Sequence, residues 1–162
     1  TAPDRADGPS DGPAGLTIEA VVGERLAVWS RVLLDGFGYP PGERRDGVAR
    51  WNDMMGTVPE ATLLLASLHG EPVGASSVLA HDLPEGGRVA SLGGTTTLGP
   101  HRRRGVQLAL LRHRLGLAAG AGCDLAVVTA DPGSSSGRNA RRAGFALAYT
   151  NVRVLLGDVP PT

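Results

Sequence analysis

Apolar and polar positions alternate in two distinct rhythms along this chain. Residues 24–34 carry Leu26, Trp29, Val32 and Leu33 at helical spacing, and Gly36 and Gly38 stop the run. After Pro40 and Pro41 a second helical stretch covers 42–55. Val48, Trp51 and Met54 share one stripe there, with Glu43, Arg44, Arg45 and Asp46 outside it. The strand rhythm appears first at 16–22, with Leu16, Ile18 and Ala20 on one side. It returns at 62–68, turns at His69-Gly70 and resumes over 72–80, which predicts a hairpin. Residues 88–98 form another strand, broken by Gly93 and Gly94, and paired glycines inside a strand predict a bulge or a close backbone approach.

The longest helical pattern runs from the basic turn at 102–105 to about residue 119. Leu108, Leu111, Leu115 and Ala118 form its expected buried stripe, widened by Leu110 and Leu117, with Arg112, His113 and Arg114 opposite. Gly120 and Gly122 end it. Residues 125–129 (LAVVT) read as a buried central strand. A loop (DPGSSSG, 131–137) leads to a short helix at 138–143, with Gly144 past its end, and 145–156 close the chain as a strand. The order β-α-α-β-β-β-α-β-α-β predicts a mixed α/β (α+β) sheet with helices on its faces.

Composition narrows the picture. The chain has 162 residues, 16 basic and 16 acidic, for a formal net charge of zero, and every basic residue is arginine. No bulk field argues for a nucleic-acid partner, and no lysine is present to form a Schiff base. Cys123 is the lone cysteine, so an internal disulfide and a cysteine-rich metal site are excluded. It reads as a small packed hydrophobe. His69, His81 and His113 share no metal-ligand spacing, so no metal is expected. No apolar run approaches the roughly 20 residues of a membrane helix. The expectation is a soluble, cytoplasmic protein, monomer or homodimer, without a membrane partner. Residues 1–15, rich in Pro, Gly and Asp, form a disordered tail or linker, 16–157 one domain, and 158–162 a polar end.

The chemistry concentrates at 95–117. A helix start exposes unpaired N–H groups and roughly half a positive charge. Arg102, Arg103 and Arg104 stand there with Gly105, which predicts an anion site suited to phosphate or pyrophosphate. His101 is placed to touch the same anion. Arg102-x-x-Gly105-x-Gln107 resembles the acyl-CoA signature of the GNAT superfamily of N-acetyltransferases, commonly Gln/Arg-x-x-Gly-x-Gly/Ala. The block from Ser136 to Phe145 (SGRNARRAGF) is similar to the later helix of that fold, which ends in Gly-Phe.

The resemblance implies a GNAT-like acyl-CoA N-acyltransferase fold, with acetyl-CoA as cosubstrate between the strands at 88–98 and 125–129. It implies that Thr97, Leu98 and Gly99 offer backbone to the pantetheine arm. It implies that the amides of Arg103, Arg104, Gly105, Val106 and Gln107 cradle the pyrophosphate, with Arg102 and Arg103 or Arg104 adding charge. Gln107 departs from the usual Gly or Ala, and its side chain must turn aside or make a polar contact. Asn139 is either a ligand of the cofactor arm or a helix cap, and Ser134, Ser135 and Ser136 are loop residues or anchors. The position where many relatives carry an acid tyrosine is Ala140, which leaves Tyr149 as the substitute acid. Glu60, His81, Asp53 and Asp131 are candidate bases acting through water. The implied activity is acetylation of a primary amine, on a small molecule or a peptide, by direct attack in a ternary complex, with the acceptor groove built from the two early helices around 37–55 and from the strand that carries Tyr149. Arg44, Arg45 and Arg50 make a slight case for an acceptor bearing an acidic group. The alternative is a non-catalytic acyl-CoA-binding or regulatory domain of the same fold, possibly part of a larger protein.

Overall fold

The computed structural model describes residues 12–152. Five strands form one sheet in the order β1-β2-β3-β4-β5: β1 Leu16–Ala20, β2 Ala61–Leu68, β3 Glu71–Asp82, β4 Arg88–Thr97 and β5 Leu125–Val128. The first four pair antiparallel and β5 joins β4 in parallel. A parallel neighbour requires a crossover, supplied by α3 (Val106–Gly120), which leaves β4 through a 3-10 turn at Gly99–His101. Two helices, α1 (Arg25–Gly36) and α2 (Glu43–Met55), lie between β1 and β2, and α4 (Ser135–Arg142) follows β5.

The helices cover both faces. Leu63, Leu65 and Ala75 point to α1, where Trp29, Val32 and Leu33 meet them. Leu64, Ala66 and Leu68 point the other way, onto Val106 and Leu110 of α3. Val78, Ala90 and Leu92 extend that second face toward Leu111 and Ala118, with Cys123 partly buried against them. The β2–β3 hairpin turns on His69 (φ 51) and Gly70 (φ 85), two successive left-handed residues as a two-residue hairpin requires.

Three sequence expectations change here. The buried side of α3 comprises Val106, Ala109, Leu110, Leu111, Arg114 and Ala118, so the stripe is rotated from the one expected and Arg114 lies inside it. On α2 only Asn52 is buried, donating from Nδ2 to Ser30 Oγ (2.9 Å), while Trp51 and Met54 face outward. Finally, among the described residues β5 stands at the edge of the sheet rather than inside it, pairing with β4 alone, and Leu125 and Val127 are exposed. The expected closing strand would lie on that edge, yet residues 145–152 pair with nothing in the sheet, and the rest of that expectation, 153–156, falls outside the described residues. The expected tail is described only from Gly12 onward. Among the described residues no helix is long and apolar enough to cross a membrane.

Candidate active site

β4 and β5 share a short ladder that begins at Val89↔Leu125 and ends at Leu92↔Val128. Asp124 fixes the start of this ladder. Its N–H donates to the Arg88 carbonyl, and its carboxylate accepts from the Arg88 N–H, both at 2.8 Å. Beyond Leu92 the strands separate, and among the described residues β4 runs on to Thr97 with β3 as its only strand partner. The outer edge of residues 93–97 is therefore a row of backbone donors and acceptors without a strand beside it.

The separation coincides with the bulge that the glycine pair predicts. The register passes from Thr96↔Ala75 to Gly93↔Ser77, so β4 carries one extra residue, and Gly94 takes the left-handed conformation (φ 47). A bulge leaves carbonyls without ladder partners, and buried carbonyls need donors. The sheet receives one from each face. Trp29 Nε1 donates to the Ser76 carbonyl (3.0 Å) from α1. From α3, Arg114 Nη1 donates to the Ser77 and Gly93 carbonyls (3.2 and 3.1 Å), and its Nε to Leu110 (3.3 Å). Arg114 is 1% exposed, and burial lowers its pKa to about 10, so it remains a fixed cation at neutral pH. Its position on the rotated stripe was the signal available in the sequence, a charge at helical spacing among Leu110, Leu111 and Ala118.

The opening between β4 and β5 is the mouth of a cleft of about 1540 Å³. At one end stands the first turn of α3. Gly105 is its N-cap in the left-handed region (φ 86), and Arg103 before it is also left-handed (φ 62). The helix begins at Val106, so the amides of its first turn have no acceptor within the helix and face the cleft wall formed by Gly105, Val106, Gln107 and Leu108. Arg103 lines the same wall and is exposed. Two buried polar atoms of cleft-lining residues, Thr97 Oγ1 and His101 Nδ1, have no hydrogen-bond partner among the described residues. An open strand edge, an anion-ready helix start and two unpartnered polar atoms along one cleft suit an extended, phosphate-bearing ligand.

Several residues expected to hold that ligand are engaged elsewhere. Arg102 donates from Nε to the Thr97 carbonyl (3.1 Å) and from Nη2 to the Gly36 carbonyl (2.9 Å), so it braces β4 against α1. The Leu98 N–H is bonded to Val73 (2.9 Å), and Leu98, Gly99 and Arg104 do not line the cleft. The stretch of β4 without a neighbouring strand thus lies a few residues earlier than expected, at Gly93 to Thr97, with the Gly93 and Thr97 carbonyls at its ends already accepting from Arg114 and Arg102. Asn139 does not cap α4. The helix starts at Ser135, and Ser134 Oγ caps it by accepting from Gly137 N–H (3.1 Å). Asn139 Nδ2 instead donates to Gln107 Oε1 (2.7 Å), and Gln107 Nε2 donates to Ser136 Oγ (3.3 Å). This is the polar contact that the unusual Gln107 requires, and it ties the start of α3 to α4.

The catalytic candidates are not brought together. Tyr149 is 73% exposed in the unpaired stretch after α4 and does not line the cleft. Ala140, at the position where the resemblance implies an acid, is buried against the core side of α4. Of the four candidate bases only Asp131 lines the cleft. Among the described residues no group of three His, Cys, Asp or Glu side chains could hold a metal ion.

This is the fold of GNAT-family acetyltransferases. Solved structures that share it include a putative acetyltransferase from Agrobacterium tumefaciens (TM-score 0.71, 19% identity, covering 86% of this chain and 99% of that one). AAC(6')-Iy in complex with the bisubstrate analogue CoA-S-monomethyl-acetylneamine aligns as well (TM-score 0.71, 17% identity, 88% and 99%). A transcriptional regulator from Bacillus halodurans also matches (TM-score 0.71, 20% identity, 87% and 99%). No protein-family profile and no curated protein sequence matches the chain.

Proposed function

We propose that the protein is an acetyl-CoA-dependent N-acetyltransferase acting on a primary amine by direct attack in a ternary complex. The observation that carries this reading is the coincidence of the unpaired β4 edge with the first turn of α3 on one continuous cleft. The β4 edge offers backbone pairing to an extended arm. The α3 amides, with Arg103 beside them, hold the pyrophosphate. The amine nitrogen attacks the thioester carbonyl carbon, the C–N bond forms as the C–S bond breaks, and the electron pair leaves on sulfur. The proton lost by nitrogen passes to the thiolate or to water. Two similar solved structures support the choice of donor, one an acetyltransferase by description and one holding a CoA adduct.

A second reading, an acyl-CoA-binding domain without turnover, is favoured by one observation. Ala140 cannot donate a proton, and Tyr149 stands away from the cleft. The two readings separate in one experiment, titration of acetyl-CoA followed by thiol release with an amine panel. Binding with turnover supports the enzyme, binding without turnover across the panel supports the binding domain, and no binding removes both. Gly105→Glu places a carboxylate against the pyrophosphate site and is expected to abolish acetyl-CoA binding. Unchanged affinity in a folded variant would show that the anion site lies elsewhere.

A further inference from the structure

The cleft has two chemically different ends. Its charged lining residues stand on the turn before α3 and on the segment from β5 through α4. The α1–α2 end is walled by Phe37, Trp51, Met54, Met55, Val58 and Leu79. Phe37, Trp51 and Met54 are 52%, 57% and 48% exposed, a large apolar surface left open at one place. The three arginines of α2 do not compensate: Arg44 stacks on Tyr39, Arg45 pairs with Asp35 (2.7 Å), and none of Arg44, Arg45 and Arg50 lines the cleft. The cleft lining therefore gives no support to an acidic acceptor read from Arg44, Arg45 and Arg50. The cleft volume of about 1540 Å³ exceeds the roughly 300–1,000 Å³ typical of a single small-ligand site, which leaves room for a second molecule beside the cosubstrate.

The geometry points to an acceptor that is a primary amine on an aromatic or other apolar body, seated on Phe37, Trp51 and Met54 with its nitrogen toward β4. This rests on the acetyltransferase reading. Ser91, Leu92 and Gly93 join the two ends, so an amine held on the apolar wall meets the thioester where β4 and β5 part. Burial against that wall disfavours the ammonium form and favours the neutral nucleophile, which lessens the demand for a strand carboxylate that β4 does not carry. A polyamine would lose hydration at several charges there without a carboxylate to replace it.

The test uses purified protein with acetyl-CoA and four amines: 2-phenylethylamine, hexylamine, spermidine and glycine. We expect kcat/KM for 2-phenylethylamine to exceed that for spermidine and glycine by at least about 10-fold. Trp51→Ala and Met54→Ala should raise its KM several-fold while leaving acetyl-CoA affinity unchanged. Preference for spermidine or glycine with acetyl-CoA binding intact overturns this inference and leaves the acetyltransferase reading standing. Failure to bind acetyl-CoA overturns both. If acetyl-CoA binds and no amine turns over, Trp51 itself reports, since Trp29 is 2% exposed and Trp51 57%. Saturable quenching by 2-phenylethylamine that disappears in Trp51→Phe sustains the site, and its absence in the parent protein removes it.

Discussion

Arg103 holds a left-handed backbone that an L side chain adopts at a cost of about 1–2 kcal/mol. Glycine would relieve that strain and remove a charge from the phosphate wall. Arg103→Gly should therefore raise unfolding stability by up to about 1 kcal/mol in urea titration, while weakening acetyl-CoA binding. Loss of stability in this variant would mean that the arginine makes a contact worth more than its strain. Arg114 presents the opposite case, a buried cation with no carboxylate beside it, held by three carbonyls. Because its pKa is lowered to about 10, the cost of burying its charge is present at every pH below about 10 and eases only as the pH rises beyond that value. Arg114→Met removes that cost and orphans the Ser77 and Gly93 carbonyls. A net loss of about 1–3 kcal/mol is expected, measured by chemical denaturation, and Arg114→Lys should recover part of it.

Between elements, α1 approaches β4 closely at Gly36. A Cβ at Gly36 would stand 2.2 Å from Thr96 Oγ1 and 2.6 Å from its Cγ2, and the Gly36 carbonyl accepts from Arg102. Gly36→Ala should cost about 1–3 kcal/mol through overpacking, and Thr96→Ser in the same chain should restore part of it, read as the shift in Tm. The sequence carries the elements themselves well, because their boundaries are marked by glycine and by changes of hydrophobic period. The hairpin at His69-Gly70, the bulge at Gly93-Gly94 and the start of α3 at Gly105 all depend on local backbone chemistry, which one residue type can announce. What one segment cannot announce is its neighbour. Gln107 is an anomaly in its own turn and makes sense only beside Ser136 and Asn139 of α4. Trp51 and Met54 have the spacing of a core stripe, and only the packing of α2 on α1 turns them to the cleft. Tyr149 follows α4 closely in sequence, and that nearness along the chain carries no information about its distance from the cleft, which it does not line.

At the scale of the whole molecule, ligand binding and stability are one quantity. A ligand held only by the folded chain adds about 2.7 kcal/mol at a hundredfold excess over its Kd, so acetyl-CoA should raise Tm in a concentration-dependent way. The effect should shrink as salt increases, because Arg103 and the α3 terminus are exposed to screening, and a salt-independent shift would argue against a phosphate contact. The cleft itself follows from arithmetic along β4. One extra residue between Gly93 and Thr96 sets which backbone groups face outward and where the strands diverge. Removing one glycine would restore an even count. The ladder with β3 would then close, Thr95 and Gly93 would exchange faces with their neighbours, and Trp29 and Arg114 would meet carbonyls already paired. Deletion of Gly93 or Gly94 should therefore close the cleft while leaving its other lining residues in the sequence, read as loss of acetyl-CoA binding in a variant that still folds. The position of the extra residue in β4, more than the identity of the side chains around it, sets where the cleft opens.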